Sequence, residues 1–276
     1  MTYFEQLPNE KLSSYIQTFW YCQGNDVVNA VLTIPLLRHE MVFNFADAYS
    51  ISNHLKAEHG LTHATWISGI QTKPTFSTSS GKHEMVGVLF KADGLHAFIK
   101  HHSSDFTNHH VDASLIFGNS LADLLCEMHN AIGGKSKITS LELFLLQHMK
   151  NLTYPAYLNA SLKQFSKASD HKTSIKDTCN QAFTSNKSLI NSFHKYIGIN
   201  PKKYLQLQSI NEAIGLLCTT PKQSLTRLAH HLNFYDQAHF IHSFQSVTGI
   251  SPTEYVNAVK EGRVDNQTPN FVFLKG

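Results

Sequence analysis

Apolar positions in the first 90 residues come in short runs rather than at helical spacing. Residues 18–22, 27–34, 41–45, 65–67 and 85–90 are rich in β-branched and aromatic side chains. Turn formers punctuate them: Gly24-Asn25-Asp26, Pro35, Asp47, Gly69, Pro74 and Gly81. Runs of this kind predict antiparallel strands in a sandwich or barrel. After Lys91-Ala92-Asp93-Gly94 the period changes. Residues 95–100 predict a short helix, and Leu121, Leu124, Leu125 and Met128 fall at helical spacing on a second. A third helix, residues 139–150, carries Leu141, Leu143, Phe144, Leu145, Leu146 and Met149 around most of its circumference. It should be buried on more than one side, in the core beneath the sheet or in a homodimer interface.

The spacing in the second half repeats. Phe193, Gly198, Pro201 and Tyr204 recur as Phe244, Gly249, Pro252 and Tyr255, an offset of 51 residues. Leu189 and Phe240 each stand four positions before the phenylalanine, so two copies of one supersecondary unit are implied. Ser185 and Asp236 are good N-caps. A helix from each runs past the buried phenylalanine and stops at Gly198 or Gly249, which accept the left-handed backbone of a helix end. Asn200-Pro201 and Ser251-Pro252 then open the next helix. Shorter helices at 174–182 and 224–232 precede the longer ones, giving two helix-turn-helix units. A helix at 201–217 joins them and one at 155–168 leads. Seven helices are expected, with no strand between Ser174 and Tyr255.

Charge gives this arrangement a direction. Residues 1–155 carry 10 Lys and Arg against 13 Asp and Glu, and residues 156–276 carry 13 against 7. An acidic front and a basic back is the asymmetry of a chain whose second half meets nucleic acid. With 42% hydrophobic and 16% charged residues, the 276-residue chain can bury two cores. No run of 18 apolar residues marks a membrane span, and residues 1–6 lack a signal-peptide pattern, so a cytoplasmic protein is expected. Cys22, Cys126, Cys179 and Cys218 form no C-x-x-C pair, which argues against a zinc ribbon or disulfide scaffold.

Histidine is abundant, with 12 of 18 before residue 156. His101-His102 and His109-His110 match no H-E-x-x-H spacing, and His39-Glu40 and His83-Glu84 do not reproduce a metal-cupin His-x-His pattern, so neither metal nor cofactor is assigned. No G-x-S-x-G, P-loop or G-x-G-x-x-G is present, so no catalytic residue is assigned and the chain is not read as an enzyme. Trp20, Tyr21, Phe43, Phe45, Trp66 and Phe90 are either the aromatic core of a small barrel or the lining of an apolar ligand pocket.

The series Leu225, Leu228-Ala229, Leu232-Asn233-Phe234-Tyr235-Asp236-Gln237-Ala238-His239-Phe240, Phe244, Thr248-Gly249, Pro252 and Tyr255 resembles the second helix-turn-helix of AraC/XylS-family transcription regulators. With the first unit in register upstream, the resemblance covers residues 156–262. More loosely, Tyr15-Ile16, Phe19-Trp20, Pro35, residues 40–45, residues 68–71, Gly87-Val88, Phe90 and Gly94 resemble the cupin-like sensor domain of one branch of that family. Asn233 stands where the family usually has Gly, Phe183 where a small turn residue is usual, and Cys179 where Ala is usual. Asn191, His242 and Gln208 replace common arginines.

The implied fold is α+β. A cupin-like β-barrel with helices spans residues 1–154, an all-α domain of two helix-turn-helix units spans 155–262, and a tail spans 263–276. The implied function is a sequence-specific DNA-binding regulator whose front domain senses an effector or partner. Double-stranded DNA, a small-molecule effector, RNA polymerase and a homodimeric mate are the implied partners. The second helix of each unit enters the major groove, so Asn186, Lys187, Ile190, Asn191 and Lys195 are the expected contacts in the first unit. In the second they are Gln237, Ala238, His239, Ile241 and His242. Asn and Gln suit adenine, and Ile suits the thymine methyl. A different reading of the histidines and the barrel is a metal- or small-molecule-binding cupin enzyme with an accessory helical domain.

Overall fold

A computed structural model describes residues 2–25, 29–47, 49–52, 60–61, 64–150, 153–166 and 174–274. The strand start expected at Val27 and the helix end expected at residues 167–168 lie outside the described residues.

The front part contains β1 (Thr2–Gln6), β2 (Ile16–Gly24), β3 (Asn29–Thr33), β4 (His39–Asn44), β5 (Tyr49–Ser52), β6 (Gly60–Leu61), β7 (Thr65–Ser68), β8 (Thr75–Ser79), β9 (His83–Phe90) and β10 (His110–Asp112). Two 3-10 turns (Leu95–Ala97 and Ser103–Phe106) precede β10; α1 (Ser114–Phe117), α2 (Asn119–Asn130) and α3 (Gly133–His148) follow it. The back part is helical: α4 (Ala156–Ser166), α5 (Ile175–Gln181), α6 (Asn186–Tyr196), α7 (Pro201–Thr219), α8 (Leu225–His231), α9 (Gln237–Thr248) and α10 (Pro252–Lys260). These are the seven expected helices, and no described residue between Ser174 and Tyr255 is in a strand. The chain ends in a hairpin, β11 (Val264–Asp265) and β12 (Thr268–Phe273).

The strands form two antiparallel sheets. One runs β1-β2-β9-β4-β7-β10 and the other β11-β12-β3-β8-β5-β6. The expected barrel is therefore not closed among the described residues. The edge of β3 that could close it is taken by β12, with Phe271 opposite Thr33, Val272 opposite Leu32 and Phe273 opposite Val31.

Strand alternation divides the front part into layers. Phe19, Tyr21, Met41, Phe43, Val86 and Val88 leave one face of the first sheet and join Leu121, Leu124, Met128, Leu141, Phe144 and Leu145 of α2 and α3 in one core. Leu145 is fully buried there, so the apolar girth of α3 is explained by the core beneath the sheet; Leu143 remains exposed. Trp20, Glu40, Val42, Trp66 and Met85 face the second sheet across a cavity. Trp20 lies opposite Gly87 in the register, and a Cβ at Gly87 would sit 2.2 Å from the indole, so only glycine leaves room for it.

The far face of the second sheet shares a core with the helices. Leu32, Ile34, Ile70 and Val272 pack in one cluster with Phe165, Leu189, Phe193, Ile210, Phe240, Phe244 and Tyr255. Phe193 and Phe244 are both fully buried. Phe193 meets the rings of Phe165 and Tyr204, and Phe244 those of Phe240 and Tyr255. Cutting either phenylalanine to alanine removes a large buried side chain and leaves a cavity, a cost of about 3–5 kcal/mol. We expect Phe193→Ala and Phe244→Ala each to lower the thermal unfolding midpoint by several degrees. An unchanged midpoint in either variant contradicts the anchor role.

Candidate nucleic-acid interface

The second helix of each unit is held at both ends. At the N-terminus of α6 the Ser185 side chain accepts from the Ser188 N–H at 3.0 Å. At that of α9 the Asp236 carboxylate accepts from the His239 N–H at 2.7 Å. The following helices are capped likewise: Asn200 accepts from Lys203 N–H, and Ser251 and Glu254 form a reciprocal capping box. Each cap satisfies an N–H that the first helical turn leaves unpaired. Gly198, just past α6, has φ +99°, and Gly249, just past α9, has φ +76°.

The turns within the two units differ. Phe183 (φ +50°) and Asn233 (φ +56°) occupy the same left-handed position. Two residues, Thr184 and Ser185, complete the first turn, whereas three, Phe234, Tyr235 and Asp236, complete the second. The added Tyr235 is 88% exposed and the strained Phe183 is 96% exposed. A non-glycine residue in the left-handed region costs roughly 1–2 kcal/mol, and an exposed ring regains little of it. Phe183→Gly should therefore raise the thermal midpoint of the free protein. A lowered midpoint would show that the ring makes a stabilising contact.

All of the expected contact residues but Ile241 lie on two outward rows. On α6, Asn186, Lys187, Asn191 and Lys195 are exposed and Ile190 is half-buried. Asn186, Ile190 and His194 border a groove completed by Lys176 of α5 and Lys202 of α7, two cations that the sequence reading did not single out. Their place two residues after the N-caps Ser174 and Asn200 is the available signal. On α9, Ala238, His239 and His242 are exposed, and Gln237 is half-buried, accepting from the Thr226 hydroxyl at 2.7 Å. Ile241 leans inward and packs on the helical core. Gln208 also points inward, donating to the Phe165 carbonyl at 2.9 Å.

The C-terminal end of α6 docks on the front part. Ser103 Oγ donates to the Tyr196 carbonyl at 3.0 Å, His39 Nε2 donates to the Ile197 carbonyl at 3.1 Å, and Thr107 Oγ1 donates to the Gly198 carbonyl at 2.8 Å. The histidine-rich segment is thus the loop that caps a recognition helix. His101, His102 and His109 are exposed on it, while the His96 ring is buried edge-on against Tyr196. Among the described residues no group of three or more His, Cys, Asp or Glu side chains is placed to hold a metal ion.

The cavity between the sheets is about 180 Å³. Trp20, Val42, Ile51, Trp66, Met85 and Phe271 supply apolar walls. Trp20 Nε1 donates to Glu40 at 2.9 Å, and burial raises the Glu40 carboxyl above its ordinary value while the nearby Arg38 lowers it. His110 Nδ1 lies 2.7 Å from Ser68 Oγ, and its buried Nε2 has no partner. Burial takes this imidazole down to about 4, so it is neutral near pH 7.

Two family models match the chain. One, described as a domain of unknown function (DUF6597), matches residues 5–112, and the other, described as a helix-turn-helix domain, matches residues 178–258. No curated protein matches. Among solved structures, ToxT from Vibrio cholerae is 12% identical with a TM-score of 0.47, over 87% of this chain and 98% of its own. An AraC-type transcriptional regulator from Chromobacterium violaceum is 22% identical with a TM-score of 0.35, over 37% of this chain and 91% of its own. CdpR from Pseudomonas aeruginosa is 17% identical with a TM-score of 0.34, over 65% and 46%. These are distant likenesses, and the assignment rests on the helix-turn-helix match. Residues 178–258 are an AraC-type helix-turn-helix domain, and the protein is a DNA-binding transcription regulator. No helix among the described residues is long and apolar enough to cross a membrane.

His39 is fully buried at the junction of the two parts, and burial lowers its imidazole to about 4 from 6.5. Between those values the unfolded chain takes up a proton that the folded chain refuses. Stability therefore falls as pH drops from about 6.5 towards 4, by up to about 1.4 kcal/mol per pH unit for this group. We expect His39→Gln, which keeps an N–H donor but cannot charge, to flatten the slope of stability against pH over that window in denaturant titrations. An unaltered slope would contradict the assignment.

Proposed function

We propose that this regulator reads DNA through Asn186, Lys187, Ile190, Asn191 and Lys195 of α6 and Gln237, Ala238, His239, Ile241 and His242 of α9, with Ile241 in the least accessible place. The observation that carries the reading is the pair of capped helices presenting exposed Asn, Lys and His on their outward rows. The chain's three arginines, Arg38, Arg227 and Arg263, lie on neither helix. Arginine paired with guanine is the commonest specific contact, whereas Asn and Gln fit adenine. The preferred site is therefore rich in A·T at both contact positions, in successive major grooves about 34 Å apart.

Residues 1–154 act as a cupin-like sensor, residues 155–262 as the DNA-binding domain and residues 263–276 as a terminal segment, in a cytoplasmic protein. The cavity between the sheets takes the effector. Its volume is close to the roughly 150 Å³ cavity that holds benzene. Its neutral His110, the neighbouring charges of Arg38 and Glu40 and the tryptophan walls suit a small, largely apolar molecule with one hydrogen-bonding group. RNA polymerase and a second copy of the chain are further partners. A pairing through α3 would use the exposed Leu143, because Leu145 is engaged in the core.

Selection of bound duplexes from a random pool tests the reading. A·T pairs at both contact positions are expected, and guanine at the centre of both half-sites would refute it. Lys187→Ala should weaken all duplexes alike and lower the log–log salt slope by about 1, as loss of one phosphate contact does. Asn191→Ala should instead relax preference at one base pair.

A further inference from the structure

The last ten described residues follow the second helix-turn-helix unit in sequence and join the front sheet in structure. α10 ends at Lys260, the chain turns, and β12 runs back along β3. Ile34 N–H donates to the Asn270 carbonyl and Leu274 N–H to the Ala30 carbonyl, both at 2.8 Å. β12, flanked by β3 on one side and by the short β11 on the other, thereby ties the chain beyond the helices into the sheet that walls the cavity.

Its side chains alternate between two surroundings. Phe271 projects into the cavity with Trp20, Arg38 and Glu40. Asn270 and Val272, on the opposite face, meet the helices. Val272 is buried in the helical core, and Asn270 Nδ2 donates to Asn211 Oδ1 of α7 at 2.9 Å. Asn211 Nδ2 in turn donates to the Pro35 carbonyl at 3.1 Å, and Pro35 is also a cavity wall. One residue before Asn270, the Pro269 carbonyl accepts from the buried Tyr255 hydroxyl of α10 at 2.8 Å. Thus the same three-residue stretch bears on the cavity, on the helix that joins the two units, and on the helix that follows α9.

The geometry points to the C-terminal hairpin as a link between the inter-sheet cavity and the second helix-turn-helix unit. What fills the cavity moves Phe271, and β12 passes the displacement to α7 and α10. A strand clamped between two packed surfaces cannot shift one face without the other, because packed interiors deform little. Coupling between sites is reciprocal, so a duplex bound by the recognition helices must also alter the cavity. This link rests on the reading of the helices as the DNA contact and of the cavity as the effector site.

The chain offers a direct reporter. Its two tryptophans, Trp20 and Trp66, both line the cavity, and neither lies in the helical half. We expect a saturating amount of the duplex recovered by selection to change tryptophan emission in the full chain. The double variant Tyr255→Phe with Asn211→Ala removes the two side-chain hydrogen bonds between the helices and residues 269–270, and leaves the Cys218–Asn266 bond at the hairpin turn, the strand pairing and the DNA-facing residues in place. It should bind the duplex within about threefold of the parent affinity and lose at least about half of the emission change. Phe271→Ala cuts the link at its other end, keeps those two hydrogen bonds, and should lose the change as well, which tests the link even where the double variant fails to fold. An absent emission change in the parent at saturating duplex overturns the link, as does a full change in a folded, duplex-binding variant of either kind. Failure of the parent to bind any duplex overturns the DNA reading itself, and is seen separately in the binding isotherm.

Discussion

The last turn of the first recognition helix leaves carbonyl oxygens that no helical N–H can reach. In this protein three in succession, those of Tyr196, Ile197 and Gly198, accept hydrogen bonds from Ser103, His39 and Thr107 of the front part. Buried carbonyls left unpaired cost about 1–3 kcal/mol each, so the helix and the front part hold one another in register. The close approach depends on glycine. A Cβ at Gly198 would lie 2.7 Å from Thr107 Oγ1 and 2.8 Å from the Ser103 carbonyl.

The second unit obeys a similar constraint by different means. Gly249 comes so close to Pro74 that a Cβ there would be 2.9 Å from its ring. Beyond it, the second sheet and the helices bury a single core containing Leu32, Ile34, Ile70 and Val272 beside Phe193, Phe240 and Phe244. Both recognition helices therefore end on the front part, and α7 runs between them. Their separation is set by packing over the whole molecule rather than by the joining helix alone. On the proposed reading of the two helices as the DNA contact, this packing offers both of them to one duplex with a fixed offset.

The helical half was legible because its signals are local. Caps at Ser185, Asn200, Asp236 and Ser251, left-handed glycines after the long helices and phenylalanines at fixed spacing each leave a mark on a few adjacent residues. The turn survives Asn233 because Asn tolerates φ > 0. The one-residue difference between the two turns went unread, because the 51-residue repeat is counted from the phenylalanines and hides where the extra residue sits. In the front half, the strands with apolar runs were read and those without were not. β8, Thr75–Ser79, buries Thr75, Ser77 and Ser79, so it carries no apolar alternation to find. β12 reads as part of a tail in sequence, since only its pairing with a strand more than 230 residues earlier gives it a place. The docking of the histidine-rich loop is likewise a non-local contact. Of the ten expected contact residues, Ile241 shows the limit of reading a face from helical period alone: half-buried, it packs on the helical core.

On this reading one chain sets two recognition helices, α6 and α9, on one face of a duplex at a spacing fixed by the front part. Hydroxyl-radical footprinting of the full chain on a selected duplex tests it most directly. The account predicts two protected patches per bound chain, about 10–10.5 base pairs apart on the same face, with a spacing that stays constant among selected sequences. A single protected groove per chain, or two patches whose spacing drifts from one duplex to another, would contradict it.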